Sequence, residues 1–450
     1  MLYRKIEGRI EEHLKSEESK IMIVEGARQI GKSYIIRQVG KRLYENYVEL
    51  NFVKDDEGRQ LFKDIRTTEE FYFVLSSVYG KSLDSYENTL VFLDEIQHYP
   101  QYLTLLKFFR EDHRFRFIAS GSLLGIALRQ TTSIPVGSII PVNMYQLDFE
   151  EFLVANGFGL DAMETIRQQL RSRESLDVAM HDYIMKQFRR YLLVGGLPDA
   201  VNAYLDSHNI VKVREVQESI KNLYEADATK YEEDSSKTLL IRRIYNMIPS
   251  QMENRKKRIV AKDIRGKDGD RFDNYREEFE YLVSAGTALE VNAISNPRYP
   301  LAASAQKNLL KLYLNDVGLL TLQFYRNNIQ AVLADEDSIN LGAVYESVVA
   351  QELKAHGHNL FYYNNKQKGE VDFLVDDYAN ATVLPIEVKS GKDYTRHSAL
   401  TNLLKVPDYN IRSGLVLSNS REIKTAGDII YMPVYYVMFL DSSATEEIYF

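Results

Sequence analysis

The 450-residue chain has no cysteine and no tryptophan. Without cysteine there are no disulfides, no thiol catalysis and no cysteine-ligated zinc, which suits a reducing compartment. Apolar runs are short: the longest late one, "YMPVYYVMFL", falls well below the roughly 20 residues needed to cross a bilayer. The opening "MLYRKIEGRIEEHLKSEESK" is charged, lacks the apolar core of a secretion signal and reads as a helix. These features lead us to expect a cytoplasmic protein with no membrane contact. Basic charge is not in excess either, the net charge being -8, so contact with nucleic acid would need a local patch. We find no internal repeat and no low-complexity tract. The rest is ordinary globular composition, 45% hydrophobic and 27% charged, with length for two to four domains. The 31 tyrosines are scattered, which fits strands and domain surfaces better than a stacking platform. His356 and His358 have no further ligands clustered with them and read as loop residues.

One short stretch, "VEGARQIGKSY", carries specific chemistry. Its spacing is Gly26-x-x-x-x-Gly31-Lys32-Ser33, after the apolar run Ile21 to Val24 and before the helix-compatible Tyr34 to Val39. The pattern predicts strand, loop and helix. Glycines let backbone N–H groups close around phosphate oxygens, and a helix start adds its positive dipole end. The expected ATP-binding residues are Gly26, Ala27, Arg28, Gln29, Ile30, Gly31, Lys32, Ser33 and Tyr34. Lys32 would reach the β- and γ-phosphates, and the Ser33 hydroxyl would hold Mg²⁺.

Triphosphate hydrolysis also needs carboxylates at a strand end. In "TLVFLDEIQHYP" the run Leu90 to Leu93 predicts a strand buried on both faces, with Asp94 and Glu95 at its carboxyl end. Asp94 is assigned to the metal and Glu95 to the base that orients water. Adjacent acids also occur in ordinary turns, and the phosphate loop upstream decides between the readings. A third strand, "FRFIASGS", ends in Ser120 and Ser122, either of which could meet the γ-phosphate or the water.

The order of these elements, followed by "PVNMYQLDFEEFL" and "YLLVGGLPDAV", resembles prokaryotic AAA-type ATPases with a restriction-endonuclease-like domain at the C-terminus. The resemblance implies an α/β chain. Residues 1–150 would form an AAA-type P-loop core, 151–235 a helical lid, 236–325 a winged-helix-like module and 326–450 the endonuclease-like domain. Many relatives carry a basic residue after a glycine before the last core strand, whereas this chain has Gly137-Ser138. The arginine that senses the γ-phosphate therefore stays open among Arg110, Arg114, Arg116 and Arg129. Flexible joints are expected at 231–237 and 327–340.

A local basic patch exists in "ENRKKRIVAKDIRGKDGDRF", with Arg255, Lys256, Lys257, Arg258, Lys262, Arg265, Lys267 and Arg271. It precedes an amphipathic helix with Phe279, Leu282 and Val283 in phase, and then the β-rich "TALEVNAISN". Segment 255–271 is the expected DNA contact, with a plain protein interface as the alternative.

The last hundred residues hold a second constellation. "KGEVDFLVDDYANATVLPIEVKSGK" predicts two strands around a turn at 376–380. Glu387 and Lys389 share one strand face and Asp372 projects from the neighbouring strand. Asp372 and Glu387 are the expected ligands of Mg²⁺ or Mn²⁺, with Lys389 orienting water. An acid followed at a distance by Glu-x-Lys resembles the restriction-endonuclease signature, although Val371 stands where a proline is frequent. The same resemblance selects Glu346 on the helix "GAVYESVVAQELKAH", with Glu352 in reserve. Pro385 hints at a strand edge or bulge. Two functions follow. Either ATP hydrolysis licenses cleavage of DNA at the C-terminal site, or the chain is an ATP-dependent switch whose nuclease-like domain recruits DNA or a protein partner, with a homo-oligomer open in both.

Overall fold

The computed structural model describes residues 2–80, 83, 86–122, 137–231, 235–254, 257–266, 270–336 and 339–442. Arg129, Arg255, Lys256 and Lys267, and residues 232–234 of the first expected joint, lie outside the described residues. The chain divides into two compact units. One holds Tyr3–Gln146 with Ser284–Gly286, and the other Leu147–Val283 with Thr287–Phe450.

The first unit is built on five parallel strands, β1 (Ile21–Glu25), β2 (Asn46–Asn51), β3 (Thr89–Asp94), β4 (Arg116–Gly121) and β5 (Ile139–Asn143). Their order is β2-β3-β4-β1-β5. Because every neighbouring pair is parallel, all five carboxyl ends lie on one edge of the sheet. β3 and β4 are buried at every position, which explains their unbroken apolar runs. Helices Thr68–Tyr79 and Gln101–Asp112 cover the sheet through Phe71, Leu75, Tyr102, Leu106 and Phe109, all fully buried with Val91, Leu93 and Phe117. The first of these helices starts with a capping box between Thr67 and Glu70. The opening helix spans Lys5–Lys15, and Arg42 pairs with its Glu7 and Glu11.

The second unit begins with helices Phe149–Ala155, Leu160–Arg171, Val178–Val194, Pro198–Ser207 and Ile210–Tyr231. The phrases "LDFEEFL" and "GGLPDA" meet here. The Gly196 N–H donates to Asp316 at 2.7 Å, its carbonyl accepts from the Leu147 N–H at 2.8 Å, and the Tyr191 hydroxyl donates to the Leu147 carbonyl at 2.6 Å. A side chain at Gly196 would lie 1.9 Å from that Leu147 carbonyl, so only glycine fits.

Helices Ser235–Glu253, Ala261–Arg265 and Arg276–Ser284 follow, and then β6 (Ala288–Ile294) and β7 (Gln306–Leu314). This hairpin is one edge of an eight-stranded sheet that also contains β8 (Phe361–Asn365), β9 (Gly369–Asp377), β10 (Thr382–Val388), β11 (Gly414–Ser418), β12 (Lys424–Ala426) and β13 (Ile429–Pro433). The order is β12-β13-β11-β10-β9-β8-β6-β7. Pro385 therefore lies on an interior strand, contrary to the edge its type suggested. Pairing of β10 with β11 begins one residue later, at Ile386, so no ladder bond misses the proline's absent N–H. The joint expected at 327–340 contains a helix, Ile329–Ala334, whose Val332 is fully buried. His356 and His358 lie in the loop after the helix Gly342–Ala355, as expected, and His358 is buried there. His356 faces Asp148 at 3.3 Å and His358 faces the Leu440 carbonyl at 3.2 Å.

Candidate functional site

The phosphate loop joins β1 to the helix Lys32–Leu43. Gly26 has φ +146°, and a Cβ there would meet the Met144 carbonyl oxygen at 2.2 Å. Gly31 caps the helix in the left-handed region with φ 92°, and its carbonyl accepts the N–H of Ile35. Both turns need glycine, and together they leave the first N–H groups of the helix without intrahelical partners. Lys32 is buried and curls back over the loop, donating to the carbonyls of Gly26 at 2.9 Å and Ala27 at 2.6 Å. Its ammonium thus lies where a bound triphosphate would exchange with those carbonyls. Gln29 is held at φ 61°, Ile30 is buried and Tyr34 is exposed. Motif spacing missed one support: buried Arg4 donates to the carbonyls of Ile30 at 2.9 Å and Tyr145 at 2.5 Å, pinning the loop from below.

Asp94 is the hub of the site. Its Oδ1 accepts from the hydroxyls of Ser33 at 2.8 Å and Ser120 at 2.5 Å, and its Oδ2 from the Asn51 amide at 2.7 Å. The sheet order explains the meeting, since β4 lies between the loop strand β1 and the carboxylate strand β3. Ser120 thus supports Asp94 rather than pointing freely at a phosphate, and Asn51, at the end of β2, was not legible as a site residue. Burial raises the Asp94 carboxyl above its ordinary range, as does the Glu95 charge, while the hydrogen bonds from Ser120, Ser33 and Asn51 oppose the shift. The Ser33 hydroxyl and Asp94 carboxylate are hard oxygen donors side by side, which fits Mg²⁺. Glu95 stands next, at φ 56°, with its Oε2 accepting from the Gln97 amide at 2.5 Å. That amide also reaches the Ser122 hydroxyl at 3.2 Å. Glu25, at the end of β1, is an acid the motif did not flag; burial raises it to about 7.

Three of the four candidate arginine sensors are described, each with partners of its own. Arg110 donates to the Gly137 carbonyl at 2.9 Å and the Ser138 hydroxyl at 3.1 Å, and Arg114 stacks on Tyr72. Arg116 donates to the Tyr86 hydroxyl and the His13 carbonyl from the first residue of β4, the end opposite the site.

In the second unit Glu346, Asp372, Glu387 and Lys389 do converge. Lys389 Nζ lies 2.7 Å from Glu387, and Asp372 accepts the Val388 N–H at 2.8 Å. Two further lysines enter from distant sequence. Lys257, from the basic segment, forms an ion pair with Glu346, and the fully buried Lys311 of β7 pairs with Glu370 at 2.6 Å while lying 4.5 Å above the Tyr362 ring. Burial and the Glu346 and Glu387 charges raise Asp372 well above the usual carboxylate range, and Lys311 and Lys257 oppose that shift. Burial also raises Glu387, against the pull of Lys389. Burial pulls the Lys389 ammonium down, but Glu387 carries it above its ordinary value.

Among the described residues no group of three or more His, Asp or Glu side chains is placed to hold a metal ion. Asp372 and Glu387, the expected ligands of Mg²⁺ or Mn²⁺, accept here from the Val388 N–H and the Lys389 ammonium respectively. Glu352, kept in reserve, is a core residue that accepts from the Phe149 N–H at 3.0 Å and the Tyr191 hydroxyl at 3.2 Å. In the basic segment Lys257 is turned inward, whereas Lys262, Arg265 and Arg271 are exposed.

Comparison with known proteins agrees with the nucleotide site. Residues 18–153 match the family model of an AAA domain. Residues 185–330 match one domain of unknown function, DUF8612, and residues 341–437 another, DUF4143. No curated protein matches the chain. Among solved structures the chain is similar to the Walker-type ATPase of Pyrococcus abyssi at 14% identity and TM-score 0.43, over 72% of this chain and 95% of that one. It is also similar to the ORC1 protein of Aeropyrum pernix in complex with DNA, at 10% identity and TM-score 0.32, over 75% of this chain and 93% of that one. AMPPCP-bound DnaA from Aquifex aeolicus is similar at 12% identity and TM-score 0.27, over 53% and 76%. No helix among the described residues is long and apolar enough to cross a membrane. With its loop, its carboxylate strand and the matched family model, the first unit is an AAA-type P-loop ATPase domain that binds ATP.

Proposed function

We propose that this protein hydrolyses ATP as a switch, and that its second unit is an output that binds DNA or a protein partner. The observation that carries the first half is the convergence of Ser33, Ser120 and Asn51 on Asp94 with Glu95 beside it. Ser33 and Asp94 would hold Mg²⁺, which supplies charge neutralisation on the transferred phosphate. Lys32 leaves the Gly26 and Ala27 carbonyls for the β- and γ-phosphates, and the N–H groups at the start of the helix Lys32–Leu43 bind the remaining oxygens. Glu95 orients a water molecule and takes its proton as it attacks the γ-phosphorus.

For the second unit, the ion pairs of Glu346 with Lys257 and Glu387 with Lys389 favour a binding module over a metal-dependent nuclease. Carboxylates already matched by ammonium groups have little charge left for a divalent ion. Exposed Lys262, Arg265 and Arg271, beside three helices and a hairpin in winged-helix order, are the proposed DNA contact. The test is ATP turnover together with cleavage and binding of single- and double-stranded DNA, with Mg²⁺ or Mn²⁺, for wild type, Lys32→Ala and Lys389→Ala. ATP turnover lost in Lys32→Ala, with no cleavage by any form, is expected. Cleavage that disappears in Lys389→Ala would replace the switch by a nuclease.

A further inference from the structure

Gln97 lies on the short turn Ile96–His98, two residues beyond the proposed base. It is buried at 6% exposure, and no motif marked it. Its amide nitrogen makes two bonds, one to Glu95 Oε2 at 2.5 Å and one to the Ser122 hydroxyl at 3.2 Å. A primary amide nitrogen carries two hydrogens, so this geometry spends both. The amide oxygen is packed against Gly121 so closely that a Cβ on that residue would lie 2.6 Å from it. Gly121 is the last residue of β4 and its φ is not positive, so backbone conformation does not demand glycine there. A Cβ there would instead push the Gln97 amide aside. Glu95 itself is a non-glycine residue in the left-handed region, a conformation that persists only where surrounding contacts over-determine it.

We infer that Gln97 is a positioning residue for hydrolysis: its amide ties the Glu95 carboxylate to the Ser122 hydroxyl at the end of β4. Resting on the reading of Glu95 as base, it deepens that reading by naming what aims the base. One Glu95 oxygen is fixed by the amide, which leaves the other for water. Ser122 accepts from Gln97 and keeps its own hydroxyl proton to donate to an incoming phosphate oxygen. The base and the phosphate-facing strand end are thereby held in one register.

The experiment is steady-state ATP hydrolysis by wild type, Glu95→Gln, Gln97→Ala, Gln97→Glu, Gly121→Ala and the double variant Gly121→Ala/Gln97→Ala, with ATP affinity and thermal unfolding measured on each. Gln97→Ala should lower kcat roughly tenfold to a hundredfold while ATP affinity stays within about twofold. Gly121→Ala should do the same, because its methyl displaces the amide, and the double variant should lose no more than either single one. A purely structural role would instead give additive losses. Gln97→Glu, which removes the donor that holds the Glu95 carboxylate, should lower kcat as far as Gln97→Ala does. Unchanged kcat in a folded Gln97→Ala, or additive losses in the double variant, would overturn the inference. Equal turnover by wild type and Glu95→Gln would instead sink the base assignment on which it rests.

Discussion

The two polar centres of this protein are both built on carboxylates, yet they are completed in opposite ways. Asp94 in the first unit is surrounded by neutral donors, the hydroxyls of Ser33 and Ser120 and the amide of Asn51. Its negative charge is oriented but not cancelled, and a lysine waits nearby on loop carbonyls. In the second unit the acids Glu346, Glu370 and Glu387 each meet an ammonium group, from Lys257, Lys311 and Lys389. Neutral hydrogen bonds keep a carboxylate available to a cation, whereas a buried ion pair has already spent it. On the proposed reading, the contrast separates a centre poised for ligand from one closed on itself.

The largest effect should come from breaking the poised centre. Lys32→Ala is expected to abolish ATP binding, measured by titration with a fluorescent ATP analogue. Glu95→Gln should retain binding and lose turnover by about a hundredfold or more. Retained turnover in Glu95→Gln would mean that another group orients the water.

Next comes the closed centre. Lys311→Met leaves Glu370 without its partner and should cost about 3 kcal/mol in chemical denaturation, part of which Glu370→Gln in the same chain should restore. If the double variant is no more stable than the single one, the pair is not what closes the centre.

A smaller effect is expected from pH. Glu25 is raised from 4.5 to about 7 by burial, so between those values the folded chain holds a proton that the unfolded chain has released. Stability from this group therefore falls as pH rises through that window, and Glu25→Gln should flatten the slope. An unchanged slope in thermal unfolding scans from pH 5 to pH 7 would show that Glu25 is solvated like an ordinary acid. The smallest effect is a control at a helix cap: Thr67→Ala, which removes one half of it, should cost about 1 kcal/mol with ATP turnover untouched.

The sequence made one centre far more legible than the other. Gly26, Gly31, Lys32 and Ser33 lie close together across one loop and the helix start after it, and Asp94 ends an apolar strand with Glu95 after it, so local pattern alone places them. Asn51, Arg4 and Gln97 were missed because each reaches the site through strand order or tertiary packing rather than spacing. For the second centre, strand alternation brought Asp372 beside Glu387, and the helix face brought Glu346. No local pattern could reveal Lys257 or Lys311, whose ammonium groups arrive from a segment about a hundred residues upstream and from the edge hairpin. Spacing identifies which acids meet; tertiary packing decides what neutralises them. Lys257 illustrates the point, since as part of a charge run it reads as solvated surface and in the fold it is turned inward.

The most direct test of the contrast is the binding of Mn²⁺ to the intact protein, followed by electron paramagnetic resonance with and without a non-hydrolysable ATP analogue. The account predicts a single bound Mn²⁺ that appears only with nucleotide and is lost in Ser33→Ala. Mn²⁺ bound tightly without nucleotide, and released by Asp372→Asn or Glu387→Gln, would contradict it.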